Sequence, residues 1–116
     1  MACDMAGDVK MFQLACDQLK EVGVEASLYY KLIKEEFDEL CDASIRVEEL
    51  DAIADLIWVL IGYAHARGYN IEGAWNEVAR SNMSKIDPVS GKVIKRADGK
   101  ILKPETFSPP NLQPFI

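Results

Sequence analysis

The chain has one histidine, His65, and only three cysteines, Cys3, Cys16 and Cys41, in 116 residues. An odd set of cysteines, far apart and without a C-x-x-C pair, excludes a disulfide framework and a zinc ribbon. They are expected as small buried or half-buried side chains. A di-iron carboxylate bundle needs a Glu-x-x-His pair from each of two helices. Here Gly62 stands three residues before the only histidine, so His65 is expected at a helix surface or interface rather than on a metal. No third group orients a Cys-His or Ser-His pair for nucleophilic catalysis. Neither a Walker A loop nor G-x-G-x-x-G is present, which excludes nucleotide binding of those types. Leu56 to Ala64 is the longest apolar run, too short to cross a bilayer. The N-terminus shows no basic segment leading into an apolar one, so the expectation is a soluble, cytoplasmic protein with no membrane partner.

Bases are scarce where acids are dense. Residues 35 to 55 hold nine carboxylates (Glu35, Glu36, Asp38, Glu39, Asp42, Glu48, Glu49, Asp51 and Asp55) and one base, Arg46. The whole chain carries −6, so the window is more acidic than the protein it sits in. Such crowding self-repels unless it is solvated or neutralised, and it runs directly into Leu56-Ile57-Trp58-Val59-Leu60-Ile61. From Arg80 to Lys103 the balance reverses, with seven bases against Asp87 and Asp98. With a net negative charge and no continuous basic, aromatic-rich face, nucleic acid is not the expected ligand.

A composition of 49% hydrophobic and 28% charged residues in this length suits one domain, residues 1–116, with a modest core of the kind that oligomerisation often completes. Asp4 or Asp8 can cap a first helix, expected over about residues 8 to 22 and closed by Gly23. A second helix opens near Glu25-Ala26-Ser27, carries Leu28, Leu32, Ile33, Phe37 and Leu40 on one stripe, and fades at Asp42. The third runs from about Arg46 to Arg67, stopped by Gly68. It is apolar on nearly every side from Ile53 to Ala64, which requires other helices or a second subunit around it. A fourth begins at Asn70-Ile71-Glu72 and ends near Asn82. Beyond a helical core of about 8–85, prolines break the periodicity, and Val93-Ile94 and Ile101-Leu102 flank Ala97-Asp98-Gly99-Lys100. That pattern predicts a short β-hairpin followed by an extended proline-rich tail over about 86–116. The fold class expected is all-α: an oligomeric antiparallel bundle of about four helices with a C-terminal hairpin.

Helical spacing gathers the acids. Glu35 and Glu39 lie about 40° apart on the helical wheel and Glu36 and Glu39 about 60°, while Glu48 and Asp55 are within about 20°. Asp51 shares the second stripe. A connection of only about Asp42 to Ile45 forces an antiparallel pair, which turns the two stripes toward each other. Oxygen ligands converging from both helices suit Mg²⁺, with Mn²⁺ as a substitute. The plainer reading is a solvated acidic face with first-turn acids favoured by the helix dipole. Asp55 fits that reading worst, because it sits among Ile53, Ala54, Leu56 and Ile57. Phosphate is the natural partner of an acidic metal site joined to a basic tail. Arg80-Ser81-Asn82-Met83-Ser84-Lys85 offers bases, hydroxyls and an amide for it, or is simply a helix C-terminus carrying favourable positive charge.

The order of motifs is distinctive. Glu36-Phe37-Asp38-Glu39 is an E-x-x-E, and the segment from Glu48 to Val59 resembles the second acidic helix of the all-α nucleoside triphosphate pyrophosphohydrolases, the MazG-like superfamily that includes phosphoribosyl-ATP pyrophosphohydrolase. Glu77 to Lys85 and Asp98 to Lys103 resemble further motifs of its short, single-domain bacterial and phage members. The resemblance implies a helical bundle that forms a homodimer or homotetramer, binds Mg²⁺ and cleaves a nucleoside triphosphate between its α and β phosphates. Carried onto this chain, it makes Glu36 and Glu39 metal ligands and Asp55 the closing acid of the second motif. Glu35 would activate the attacking water, Asn82 and Lys85 would contact sugar or phosphate, and Arg96, Lys100 or Lys103 would close over the triphosphate. One position departs: the Glu of the usual E-x-x-D is here Ala52, so Glu48, Asp51 and Asp55 are all candidate ligands. A purine deoxynucleotide such as dGTP is the first substrate the resemblance suggests. The alternative is a non-catalytic helical dimerisation module with a structural Mg²⁺-binding acidic face.

Overall fold

Backbone capping decides where the first helix begins and ends. In the computed structural model, which describes residues 2–116, Asp4 accepts a hydrogen bond from the Gly7 amide at 2.9 Å and starts α1, Met5–Ala15. The helix stops well before Gly23, correcting the expected end. Asp17 adopts a left-handed φ of 58°, its amide reaches the Leu14 carbonyl at 3.1 Å, and the Gln18 amide reaches Gln13 at 3.0 Å. This paired closure usually carries glycine in the left-handed position, so an aspartate there leaves little trace in the sequence. Gly23 instead donates its amide to the Ala66 carbonyl at 2.7 Å, tying the following loop to the end of the third helix.

The next two helices are α2, Ala26–Asp42, and α3, Arg46–Ala66, close to the predicted spans. Residues 43–45 connect them, too few to do anything but fold one back along the other. Gly68, at φ 77°, ends α3 with the same pair of closing bonds, from Gly68 to His65 and from Tyr69 to Ala64. Between α2 and α3 lies the core: Tyr29, Val59 and Ala66 are buried, with Leu32, Ile33, Leu56 and Tyr63 packed on them. α1 packs on α3 as well, and buried Gln13 donates from Nε2 to the Gly62 carbonyl while Oε1 lies 2.9 Å from His65 Nδ1. His65 is therefore an interface residue between two helices, as expected.

α1 and α2 do not surround α3. Leu50, Ile53, Ile57 and Leu60 remain exposed along it. The cysteines also depart from expectation, since Cys3, Cys16 and Cys41 are all exposed. Each lies at or beyond a helix end or on the solvent face of α2, where small size no longer implies burial.

The chain divides into two compact units, residues 1–71 and 72–116. The second holds α4, Ile71–Met83 apart from its first residue, and the tail, which ends in a 3₁₀ turn, Gln113–Phe115. The predicted β-hairpin is not formed. Two isolated antiparallel bridges, Ile86 with Val93 and Lys95 with Ile101, stand in its place, and no strand occurs among the described residues. The Asp98-Gly99 turn is present, with Arg96 accepting from Gly99 and donating to Lys100. Two apolar residues on each side are too few for a ladder, and a lone two-stranded ribbon is marginal without a face to pack on. No described helix is long and apolar enough to cross a membrane.

Gly62 is the tightest point of the core. A Cβ there would fall 2.2 Å from the Tyr29 ring, and that ring is buried with its hydroxyl donating to Gln18. Overpacking of this kind costs about 1–3 kcal/mol, more than the ~1 kcal/mol that alanine gains over glycine inside a helix. Gly62→Ala is therefore expected to lower the urea midpoint in equilibrium unfolding, whereas an unchanged or raised midpoint would show that Tyr29 can yield.

Candidate metal centre

One turn of α2 and one residue of α3 make the cluster. Glu36 and Glu39 sit three apart on α2, so they rise from adjacent turns of one face, and the α2–α3 packing brings Asp55 opposite them. One carboxylate oxygen from each lies within 4.8 Å of the others. Glu36 and Asp55 are half-buried and Glu39 is exposed, so the group opens to solvent on one side. The ion pairs Lys20–Asp17, Arg80–Glu77 and Arg96–Asp98 all lie away from the three.

Glu36 carries the strain of this arrangement. Its Oε2 is shielded from solvent and has no hydrogen-bond partner. Burial first, then the neighbouring Glu39 and the charges of Asp55 and Asp51, raise its carboxyl from the ordinary 4.5 to about 7. Asp55 is raised too, by burial and by Asp51 and Glu39. A buried, unpartnered carboxylate oxygen among like charges is costly in the free chain and is satisfied by a bound cation. The donors are all carboxylate oxygen, so the residues fit a hard divalent ion. Such an ion would be held by Glu36, Glu39 and Asp55, with Asp51 adding charge from alongside.

The remaining acids fall outside the three. Glu35 is exposed on α2 next to Glu36, Glu48 is exposed in the first turn of α3, and Asp51 is exposed but near enough to raise both Glu36 and Asp55. Ala52 is 3% exposed. Its small side chain belongs to the buried face of α3, so the position where the usual pattern has Glu is core in this chain.

The candidate phosphate contacts all belong to the unit 72–116. Lys85, just beyond α4, donates from Nζ to Asn82 Oδ1 at 3.1 Å, so the two already touch. Arg96 is engaged with Asp98 through both Nε and Nη2, which also keeps the Asp98 carboxyl below its usual range. Lys100 and Lys103 are exposed. Of the aromatics with a possible stacking role, Tyr29 is core and Tyr63 packs against it. Tyr30, Trp58 and Trp75 are exposed. Trp58, one turn after Asp55, meets Phe12 edge-to-face and borders a groove of about 210 Å³ between Met5, Asp8 and Val9 of α1 and Ala54 and Ile61 of α3. Glu77, which opens a motif segment, and Ser84, one of the hydroxyls expected to be open to phosphate, instead hold the tail. A Glu-x-x-Arg pair at helical spacing could have flagged the first; nothing local flags the second.

The sequence model of the phosphoribosyl-ATP pyrophosphohydrolase family matches residues 15–82, more than half of the chain. The match contains Glu36, Glu39 and Asp55 and ends at Asn82. Members of that family are typically dependent on divalent metal, in keeping with the acidic cluster. No curated protein matches the chain.

The raised Glu36 carboxyl sets a pH dependence. Its folded value, about 7, lies above the ordinary 4.5, so the folded chain holds the proton more tightly than the unfolded one. The stability this contributes is complete below about 4.5 and is lost as pH rises through about 7. Asp55 acts in the same sense. The metal-free protein is expected to lose melting temperature between about pH 5 and pH 8, and Mg²⁺ or Mn²⁺ to restore more of it at the upper end. Glu36→Gln, which mimics the protonated group, should flatten the profile; a slope equal to wild type would place the titration elsewhere.

Proposed function

The chain belongs to the phosphoribosyl-ATP pyrophosphohydrolase family, whose members hydrolyse the pyrophosphate bond of a nucleotide, and on that premise we propose a metal-dependent nucleoside triphosphate pyrophosphohydrolase of the MazG-like type. The substrate is a (d)NTP, with dGTP or another purine deoxynucleotide first in line, and the products are the nucleoside monophosphate and pyrophosphate. One observation carries the reading: the solvent-shielded, unpartnered Glu36 oxygen set beside Glu39 and Asp55.

Glu36, Glu39 and Asp55 hold Mg²⁺, or Mn²⁺ in its place, with Asp51 and then Glu48 as the nearest further acids of the α3 stripe. The ion's chemistry, when bound, is to neutralise the phosphate oxygens and the charge that develops on the leaving group. Glu35, on the exposed side of α2, orients the attacking water and accepts its proton. The water oxygen bonds to the α-phosphorus as the bridge to the β-phosphorus breaks, and the electron pair leaves with pyrophosphate. Asn82 and Lys85 hold sugar or phosphate, and Lys100, Lys103 and Arg96 supply cations to the phosphate chain, Arg96 after exchanging its Asp98 partner.

Self-association is part of the proposal. Leu50, Ile53, Ile57 and Leu60 are all exposed on α3, and their 3-4-3 spacing makes one continuous apolar stripe of the kind that packs into a second helix. A second copy of the chain supplies that helix.

Glu39→Gln or Asp55→Asn is expected to reduce pyrophosphate release from a panel of dNTPs with Mg²⁺ by at least about 100-fold, with the helical circular dichroism spectrum unchanged. Full activity in either variant would end the assignment. No turnover by the wild type on any standard or modified triphosphate would favour the alternative, a helical dimerisation module with a structural ion. Ile53→Arg and Leu60→Arg, placed in the stripe, should each lower the mass measured by light scattering toward one chain; an unchanged multimer would locate the interface on another surface.

A further inference from the structure

The tail is fastened to α4 at two points. At the first, the Glu77 carboxylate accepts from Arg80 Nε at 2.7 Å and Nη2 at 2.9 Å and from the Asn111 amide at 2.7 Å, while Arg80 Nη2 also donates to the Pro109 carbonyl at 3.2 Å. At the second, Ser84 Oγ donates to the Ser81 carbonyl at 2.6 Å and accepts from the Ser108 amide at 2.9 Å. The Ser84 carbonyl accepts from Thr106 Oγ1 at 3.3 Å. Residues 106 to 111 are thus held against the last two turns of α4 by backbone groups that would otherwise face water. Arg80 and the Asn111 amide hold the Glu77 carboxyl down to about 2, so this anchor stays ionised through the neutral range.

Phe107 lies within the second anchor, between Thr106 and Ser108. Its ring has Lys103 Nζ at 4.9 Å and Lys85 Nζ at 5.8 Å from its centre. Two ammonium groups from distant parts of the chain thus each lie within cation–π range of one ring. Two cations gathered in this way make a seat for an anion with several oxygens. Arg80, by contrast, is spent on holding the tail.

We propose that Glu77 and Ser84 are positioning residues: they latch the tail onto α4 so that Lys103 stands beside Lys85, and the pair, steadied by Phe107, forms a cradle for the phosphate chain of the substrate. This rests on the hydrolytic reading for the identity of the substrate, though not for the cradle itself. Neither Glu77 nor Ser84 touches phosphate in this arrangement. Their loss weakens binding without changing the chemical step.

The test compares the full chain with Glu77→Ala, Ser84→Ala and Lys103→Ala, with Ser84→Thr as the conservative control. Hydrogen exchange at the Ser108 and Asn111 amides reads the latch, and calorimetry with inorganic pyrophosphate reads the cradle without turnover. In Ser84→Ala and Glu77→Ala the corresponding amides are expected to exchange at least about fivefold faster, the loss of roughly one net hydrogen bond. Pyrophosphate affinity should fall by about 3–10-fold and KM should rise to match, with kcat within about twofold of wild type. Ser84→Thr should restore both. Added to Lys103→Ala, the latch variants should weaken pyrophosphate no further, because the lysine they position is already absent. Faster exchange with unchanged pyrophosphate affinity would overturn the positioning role, and unchanged exchange would overturn the latch. If the wild type hydrolyses no triphosphate yet loses pyrophosphate affinity on unlatching, the cradle stands and the hydrolytic reading falls.

Discussion

A carboxylate oxygen shielded from solvent, with no hydrogen-bond partner among the described residues, is the constraint on which the acidic group of the first 71 residues turns. Glu36 Oε2 is placed there by the packing of α2 on α3, and the same packing brings Glu39 and Asp55 alongside. Hydrophobic burial of Tyr29, Val59 and Ala66 stabilises the helix pair, at about 1.5–3 kcal/mol for a fully buried Val-sized side chain. Part of that gain is set against crowding three acids. In the free chain a raised carboxyl relieves the crowding by keeping a proton; a divalent cation relieves it by replacing the proton. Folding therefore builds a crowded acidic group that a proton relieves and that, in the proposed reading, a divalent cation would relieve as well.

The close approach of the two helices has its own local cause. Gly62 leaves room for the Tyr29 ring, and its carbonyl accepts from Gln13, so one residue allows α2 near α3 and also receives α1. His65 completes that contact through Gln13 Oε1. The polar pairs are buried but satisfied, which fixes the register of α1 on α3 where apolar contacts alone would tolerate slippage. The unit 72–116 is ordered differently: its tail leaves Val89, Ile94, Ile101, Leu102, Leu112 and Ile116 exposed and is held by hydrogen bonds to Glu77, Arg80 and Ser84. Such contacts open more readily than a packed core.

How much could be read in advance differs by element. The spans of α2, α3 and α4 follow from the apolar spacing and, for α3, from Gly68. The end of α1 does not, because Asp17 fills a backbone role that composition assigns to glycine. The Asp98-Gly99 turn was legible, the β-ladder expected on either side of it was not formed, and the difference lies in the shortness of the flanking apolar pairs. The exposed cysteines show the limit of an average preference: their places at helix ends and on a solvent face outweigh it. The tail anchors at Glu77 and Ser84 depend on groups 24 or more residues away, Ser108 and Asn111, and no local pattern announces them.

What the sequence by itself determined is the helical hairpin and the identity of its acids, because helical periodicity and a short connection leave two acidic stripes no choice but to face each other. Only the tertiary structure decided which acids converge. Glu36, Glu39 and Asp55 share one small volume, Asp51 stands beside it, and Glu35 and Glu48 remain exposed outside it. The physical reason is that a wheel angle gives direction around one helix, whereas convergence depends on depth, on the distance between two helices and on which face is buried. Ala52 makes the point: periodicity alone offers its position as a ligand site, and packing makes it core.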